Sequence, residues 1–148
     1  MGISAVLEFP PASVSEMQDY LTHKLAYYTD AADVAQDLAR GVTEIVVLDV
    51  RSTEHYRTSH VCGALSFPHR NMDAATLKQF DSTKVYITYC DGIGCNGSTK
   101  GAWKLSQAGF KVKEMVGGLD FWQRDGLPVE SGEQVGEWPV SETPSCAC

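Results

Sequence analysis

The segment VYITYCDGIGCNGSTK, residues 85–100, constrains the fold more than any other part of the chain. Val85 to Tyr89 form a short, continuous run of β-branched and aromatic residues, the pattern of a strand buried on both faces of a parallel sheet. Ile45 to Leu48 make a second such run, and 64–67 and 112–116 are further strand candidates. Helical patterns lie around and between them. Ser13 and Glu16 have capping-box spacing ahead of Met17, Tyr20, Leu21, Leu25 and Tyr28, which predicts a helix over 13–28 whose apolar stripe must pack on something. Further helices are expected over 30–40 with Gly41 as the stop, 73–80, 98–108 closed by Gly109, and 119–124. Strands alternating with helices argue for an α/β domain on a mainly parallel sheet with right-handed crossovers.

The chemistry concentrates where the 85–89 strand ends. In open α/β sheets ligands bind beyond the carboxyl ends of the strands, which places Cys90 where reactions are carried out. Gly92, Gly94 and Gly97 allow the loop from Asp91 through Ile93, Cys95 and Asn96 to Ser98 to curl, with backbone N–H groups turned inward toward the start of a helix. Such an anion cradle would lower the pKa of Cys90 and favour a thiolate, a persulfide or a bound oxyanion. The plainer alternative is a small thiol buried at a strand end. A nucleotide-binding P-loop is excluded, because it needs Lys directly after its second Gly and Ser98 stands there. Phosphatase chemistry is weakened, because no Arg lies between Cys90 and Lys100 to fork onto phosphoryl oxygens.

Charge sharpens this reading. The 148 residues carry a net charge of −7, which argues against nucleic-acid binding by overall positive charge. Five acids and no Lys or Arg follow residue 124, whereas residues 82–116 hold five lysines against Asp91 and Glu114. No stretch approaches the ~20 apolar residues that span a bilayer, so a cytoplasmic protein is expected, with no membrane partner. The five scattered cysteines do not form a secreted disulfide framework.

Three ordered motifs resemble those of single-domain rhodanese-like proteins over roughly residues 30–130. The first is Asp49-Val50-Arg51 with Glu54 and Ser59-His60-Val61-Cys62-Gly63-Ala64; the second is Val85 through Lys100; the third is Gly117-Gly118, Trp122 and Gly126-Leu127-Pro128-Val129. Cys62 stands where the family usually carries Pro, and Ser59 where it often has Gly. The resemblance implies a three-layer α/β domain with a central, mainly parallel five-stranded sheet. It also implies a sulfurtransferase in which Cys90 takes sulfane sulfur from a donor such as thiosulfate and passes it to a thiol or cyanide-like acceptor, with no metal or organic cofactor. The family loop has six residues and often ends in a base; here Cys90 to Gly97 would span eight without one. Donor binding would then fall to backbone N–H groups and nearby lysines. A rhodanese-fold binding or regulatory module is the alternative, as is a thiol redox protein using Cys90 and Cys95.

Cys95 either packs beneath the loop or acts as a resolving thiol, attacking a persulfide or sulfenate on Cys90. Packing is the simpler reading, since spacing does not reveal loop geometry. His55, His60, Cys62 and His69 match no tight zinc spacing, and no metal site is expected. Asp49, Arg51 and Glu54 read as residues that fix the first strand and its loop. Trp103 and Trp122 read as core, and Trp138 as a residue that docks on the body or on a partner. The chain thus divides into a helical extension over 1–29, the rhodanese-like domain over 30–130 and an acidic, extended tail over 131–148.

Overall fold

The computed structural model describes residues 2–139. The sequence-predicted acidic tail is therefore seen only to residue 139, and its Cys146 and Cys148 lie outside the described residues.

Among the described residues, seven strands and five α-helices follow one another: α1 (Val14–Tyr27), β1 (Tyr28–Thr29), α2 (Ala31–Ala39), β2 (Ile45–Asp49), α3 (Thr53–Thr58), β3 (His60–Val61), β4 (Leu65–Ser66), β5 (Val85–Tyr89), α4 (Gly97–Gln107), β6 (Lys111–Met115), α5 (Gly118–Arg124) and β7 (Val129–Glu130). Five strands form a wholly parallel sheet in the order β1-β6-β5-β2-β4. Strands β3 and β7 pair antiparallel beside it. The expected α/β architecture is thus realised.

Strand alternation splits the core into two layers. On one face Val47, Ile87 and Tyr89 meet Val34 and Ala35 of α2 and Leu119 and Trp122 of α5. On the other, Leu48 and Tyr86 meet Met72, Leu77 and Leu105 of α4. Burying a side chain of the size of Leu or Ile contributes about 1.5–3 kcal/mol, so these two layers hold the sheet between them.

Several expectations need correction. The helix predicted over 73–80 is a single 3-10 turn, Thr76–Gln79, because the Asp73 carboxylate and the Thr76 hydroxyl bond each other's backbone N–H and hold a tight turn instead. The pairing of β3 with β7 was not foreseen, since two-residue strands carry no periodicity. Helix α1 has its capping box, with Ser13 accepting from the Glu16 N–H at 3.1 Å. Its apolar stripe is not packed: Leu25 is 73% exposed and no residue of the helix is buried. Tyr28 and Thr29, read as part of the extension, form the edge strand of the sheet.

Candidate active site

The chain leaves β2 toward β4 on one side and leaves β5 toward β6 on the other, so the connections diverge between these neighbouring strands. A crevice opens at such a switch point, beyond the carboxyl ends of the strands. Here it is a cavity of about 510 Å³. Arg51, Ser52 and His55 line it from the β2 side, Cys90, Asp91 and Cys95 from the β5 side, and His69 and Arg70 from the 3-10 turn after β4.

The β2 side is rigid. Asp49 is fully buried, and its carboxylate accepts from the Arg51 backbone N–H at 3.0 Å, the Arg51 Nη2 at 2.7 Å and the Tyr89 hydroxyl at 2.8 Å. Arg51 also donates to the Ser59 carbonyl at 2.6 Å and to the Asp91 carboxylate at 3.0 Å. Burial works against the guanidinium charge, but Asp49 and Asp91 outweigh it and hold Arg51 protonated. Asp49 and Arg51 thus fix the strand and its loop as their pattern suggested. Glu54 does not share in this network; it lies exposed in the first turn of α3, where negative charge suits the helix terminus.

The loop after Cys90 is anchored from α5. The Leu119 and Asp120 N–H groups donate to the carbonyls of Cys90 and Asp91 at 3.0 and 2.8 Å. Gly118 has φ +60°, and a Cβ there would run into the Cys90 carbonyl oxygen. Only glycine meets both conditions, which explains the Gly117-Gly118 pair of the third motif.

The cradle differs from expectation. Gly97 and Ser98 belong to the first turn of α4, so the loop runs from Cys90 to Asn96. Its glycines do not adopt positive φ. They provide room instead: a Cβ on Gly92 would lie 3.3 Å from that of Asp120, and one on Gly97 would lie 2.9 Å from Cys90 Sγ and 3.4 Å from Cys95 Sγ. Two amides, one in the loop and one at the start of α4, are used locally: the Cys95 N–H on the Gly92 carbonyl at 3.2 Å and the Gly97 N–H on Cys95 Sγ at 3.4 Å. Asn96 and Ile93 are exposed at the loop surface, with Ile93 74% exposed. Cys95 does not merely pack under the loop, because it is joined to Cys90 by a disulfide with the Cα atoms 6.2 Å apart.

The cations around the site come from unexpected places. Of the five lysines in the positive stretch, Lys84 and Lys113 bond carbonyls of Thr43 and Leu25, and Lys111 starts β6 at the other end of the sheet. Lys104 reaches the site indirectly, donating to the His69 carbonyl at 2.7 Å. The cationic side chain that lines the cavity without an ion pair to a described residue is Arg70. Beside it, burial and then Lys104, Lys100 and Arg70 lower the His69 pKa, so the imidazole is neutral at pH 7. Its Nδ1 is buried without a hydrogen-bond partner among the described residues. Neither residue was singled out for donor binding. The strand before them is legible, as 64–67, but the sequence does not show that it returns beside β2 and so brings His69 and Arg70 to the cavity.

The remaining candidates are structural. The His60 ring nitrogens face the Tyr56 and Gln134 carbonyls at 2.7 Å, and Cys62 Sγ faces the Glu137 carbonyl at 3.3 Å. Burial and then Glu130 push the Cys62 thiol pKa up, keeping it protonated. Trp122 is core, Trp103 is 59% exposed rather than core, and Trp138 stacks edge-on against Trp122. Cys90, Asp91 and Cys95 bring three ligand atoms within 4.8 Å. With the two sulfurs bonded to each other and Asp91 on Arg51, that trio offers no metal shell in this state.

The rhodanese-like domain family model matches residues 30–125. The chain belongs to the rhodanese-like family. The BH2092 protein of Bacillus halodurans is 40% identical, with a TM-score of 0.79, over 82% of this chain and 88% of that one. Thiosulfate sulfurtransferase 16, chloroplastic, of Arabidopsis thaliana is 33% identical over 94 residues, 57% of this chain and 78% of that protein. The HTH-type transcriptional regulator Rv0324 of Mycobacterium tuberculosis is 31% identical over 97 residues, 66% of this chain. The chain spans only 42% of that regulator's length. Among the described residues, no helix is long and apolar enough to cross a membrane.

Proposed function

We propose that this rhodanese-like protein is a sulfurtransferase that moves sulfane sulfur from a small anionic donor, such as thiosulfate, through a persulfide on Cys90. The observation that carries the reading is Cys90 at the end of β5, opening on the β2/β5 crevice beside Arg70, which has no ion pair among the described residues. The family and the Arabidopsis relative support the same chemistry.

In the reduced protein the Cys90 thiolate attacks the outer sulfur of thiosulfate. The bond between the two thiosulfur atoms breaks, sulfite leaves with the electron pair, and Cys90 keeps the sulfane sulfur. Arg70 supplies the charge that the loop itself lacks, since a guanidinium forks onto an oxyanion with two parallel N–H bonds. Arg51 is spent on its two carboxylates and contributes shape, not net charge. A thiol or cyanide-like acceptor then removes the sulfur. The cycle starts from reduced thiols, as in the cytoplasm.

Sulfite released on mixing the fully reduced protein with thiosulfate tests this reading. One equivalent per chain is expected from the wild type and none from Cys90→Ser. Undiminished release from Cys90→Ser would refute the role of Cys90.

A further inference from the structure

We infer that Cys95 is the first acceptor of the reaction, resolving the Cys90 persulfide so that the sulfane sulfur leaves as sulfide and the protein is left in the disulfide form. This inference rests on the sulfurtransferase reading and extends it: the chain would act as a thiosulfate reductase drawing electrons from a dithiol.

Three observations converge. The first is the pairing itself, since Cys90 and Cys95 are bonded within one loop with no other element in between. The second is the space kept for it. Gly97, buried at the start of α4, has no Cβ where one would press on both sulfurs, at 2.9 Å from Cys90 and 3.4 Å from Cys95. The third is the polarity of the site. The Gly97 N–H donates to Cys95 Sγ at 3.4 Å, and a backbone donor in the first turn of a helix favours a thiolate over a thiol. A second nucleophile is thus held beside the first.

The step balances as follows. The Cys95 thiolate attacks the inner sulfur, Cys90 Sγ; the new bond is Cys95–Cys90, and the bond from Cys90 to the sulfane sulfur breaks. The sulfane sulfur takes the electron pair, gains a proton from solvent and departs as HS⁻, reduced by two electrons, while the two cysteine sulfurs together lose two. A partner inside the loop acts at an effective concentration that a free acceptor cannot match, so internal transfer precedes external transfer. A dithiol, small or carried by a protein, then reduces the disulfide. The sulfurs differ in accessibility: Cys90 is 4% exposed and Cys95 half-buried. The incoming thiolate therefore attacks Cys95 and expels Cys90 as the thiolate that the next turnover needs. Over the cycle one thiosulfate and one dithiol become sulfite, hydrogen sulfide and one disulfide.

The test is anaerobic, to exclude oxidation by air. Reduced wild type, Cys95→Ser and Cys95→Ala, each checked for folding by circular dichroism, are freed of reductant and mixed with excess thiosulfate. Sulfite, sulfide and intact mass are followed together. Wild type is expected to release one equivalent of each product and end two hydrogens lighter, with Cys90 and Cys95 in one linked proteolytic peptide. Both variants are expected to release sulfite, keep the mass of one added sulfur atom, and yield sulfide only when dithiothreitol is supplied. A wild-type persulfide that persists as long as that of the variants, with sulfite but no sulfide, would overturn the resolving role alone. Absence of sulfite from every chain would overturn both readings. The wild-type peptide and sulfide measurements need no variant, so misfolding of one substitution leaves the outcome decisive.

Discussion

Two arginines line the same cavity, and they do opposite things. Arg51 is buried, spans Asp49 and Asp91, and bonds the Ser59 carbonyl. Arg70 is exposed on a 3-10 turn and pairs with none of the described carboxylates. The difference teaches that charge in a pocket counts by what is left unneutralised. A buried guanidinium held by two carboxylates organises the loop but offers an incoming anion little attraction. A guanidinium at the rim with no carboxylate partner can turn its full charge toward such an anion.

The strongest way to break the comparison is Arg51→Met. It strands Asp49, fully buried, with only the Tyr89 hydroxyl and the residue 51 backbone N–H as donors. Removing one partner of a buried pair costs about 3–5 kcal/mol. A large drop in the urea midpoint with an unchanged m-value is the expected result. A loss under about 1 kcal/mol, the range of exposed pairs, would move Arg51 out of the scaffold.

Arg70→Ala should do the reverse. It lies at the surface away from caps and core, so stability should stay within about 0.5 kcal/mol. Loss of one charge-assisted contact in a solvent-open site costs about 1 kcal/mol, hence a roughly fivefold fall in kcat/KM for thiosulfate, carried by KM. Arg70→Lys should recover part of the loss, since it keeps the charge without the fork. A fall of the same size with an uncharged sulfur donor would show that Arg70 positions the turn and does not bind the anion.

The same contrast explains what the sequence made legible. Asp49-Val50-Arg51 closes a strong strand and belongs to a motif, so its structural role could be read directly. Strands β2, β5 and β6, helices α2 and α4 and the place of Cys90 were equally readable, because short continuous apolar runs, helical spacing and a Gly-rich loop show in the sequence itself. Arg70 follows a two-residue strand, and only the three-dimensional return of that strand to β2 brings it near Cys90. The ends of the chain mislead for a related reason. Helix α1 has a good cap and an apolar stripe, yet it is bare; capping and spacing are local, while burial depends on what lies opposite. Residues 131–139, mostly small or polar, instead lie on the body through backbone bonds: Gly63 N–H to the Val135 carbonyl at 2.8 Å and Gly132 N–H to the Arg57 carbonyl at 2.7 Å. Backbone hydrogen bonds leave no mark in side-chain composition.

The smallest effect sharpens the comparison most, because it reads the field of each arginine at one reporter. The His69 pKa is lowered by burial first, then by Lys104, Lys100 and Arg70; Arg51 is not among the causes. A cation paired with two carboxylates presents no net positive charge to its surroundings, whereas one without a carboxylate partner acts across the pocket. The imidazole titration followed by NMR should therefore move up toward the ordinary value in Arg70→Ala. It should stay in place in a variant that removes Arg51 and Asp91 together, provided that the variant remains folded. The stability consequence has a definite sign. A folded pKa below the unfolded one means that the unfolded chain takes up the proton first, so this contribution is complete above the ordinary imidazole pKa and is lost as pH falls through the lowered folded value. His69→Gln should flatten that part of the pH–stability curve, and a His69 titration unmoved by Arg70→Ala would show that the arginine's charge is screened by solvent before it reaches the site.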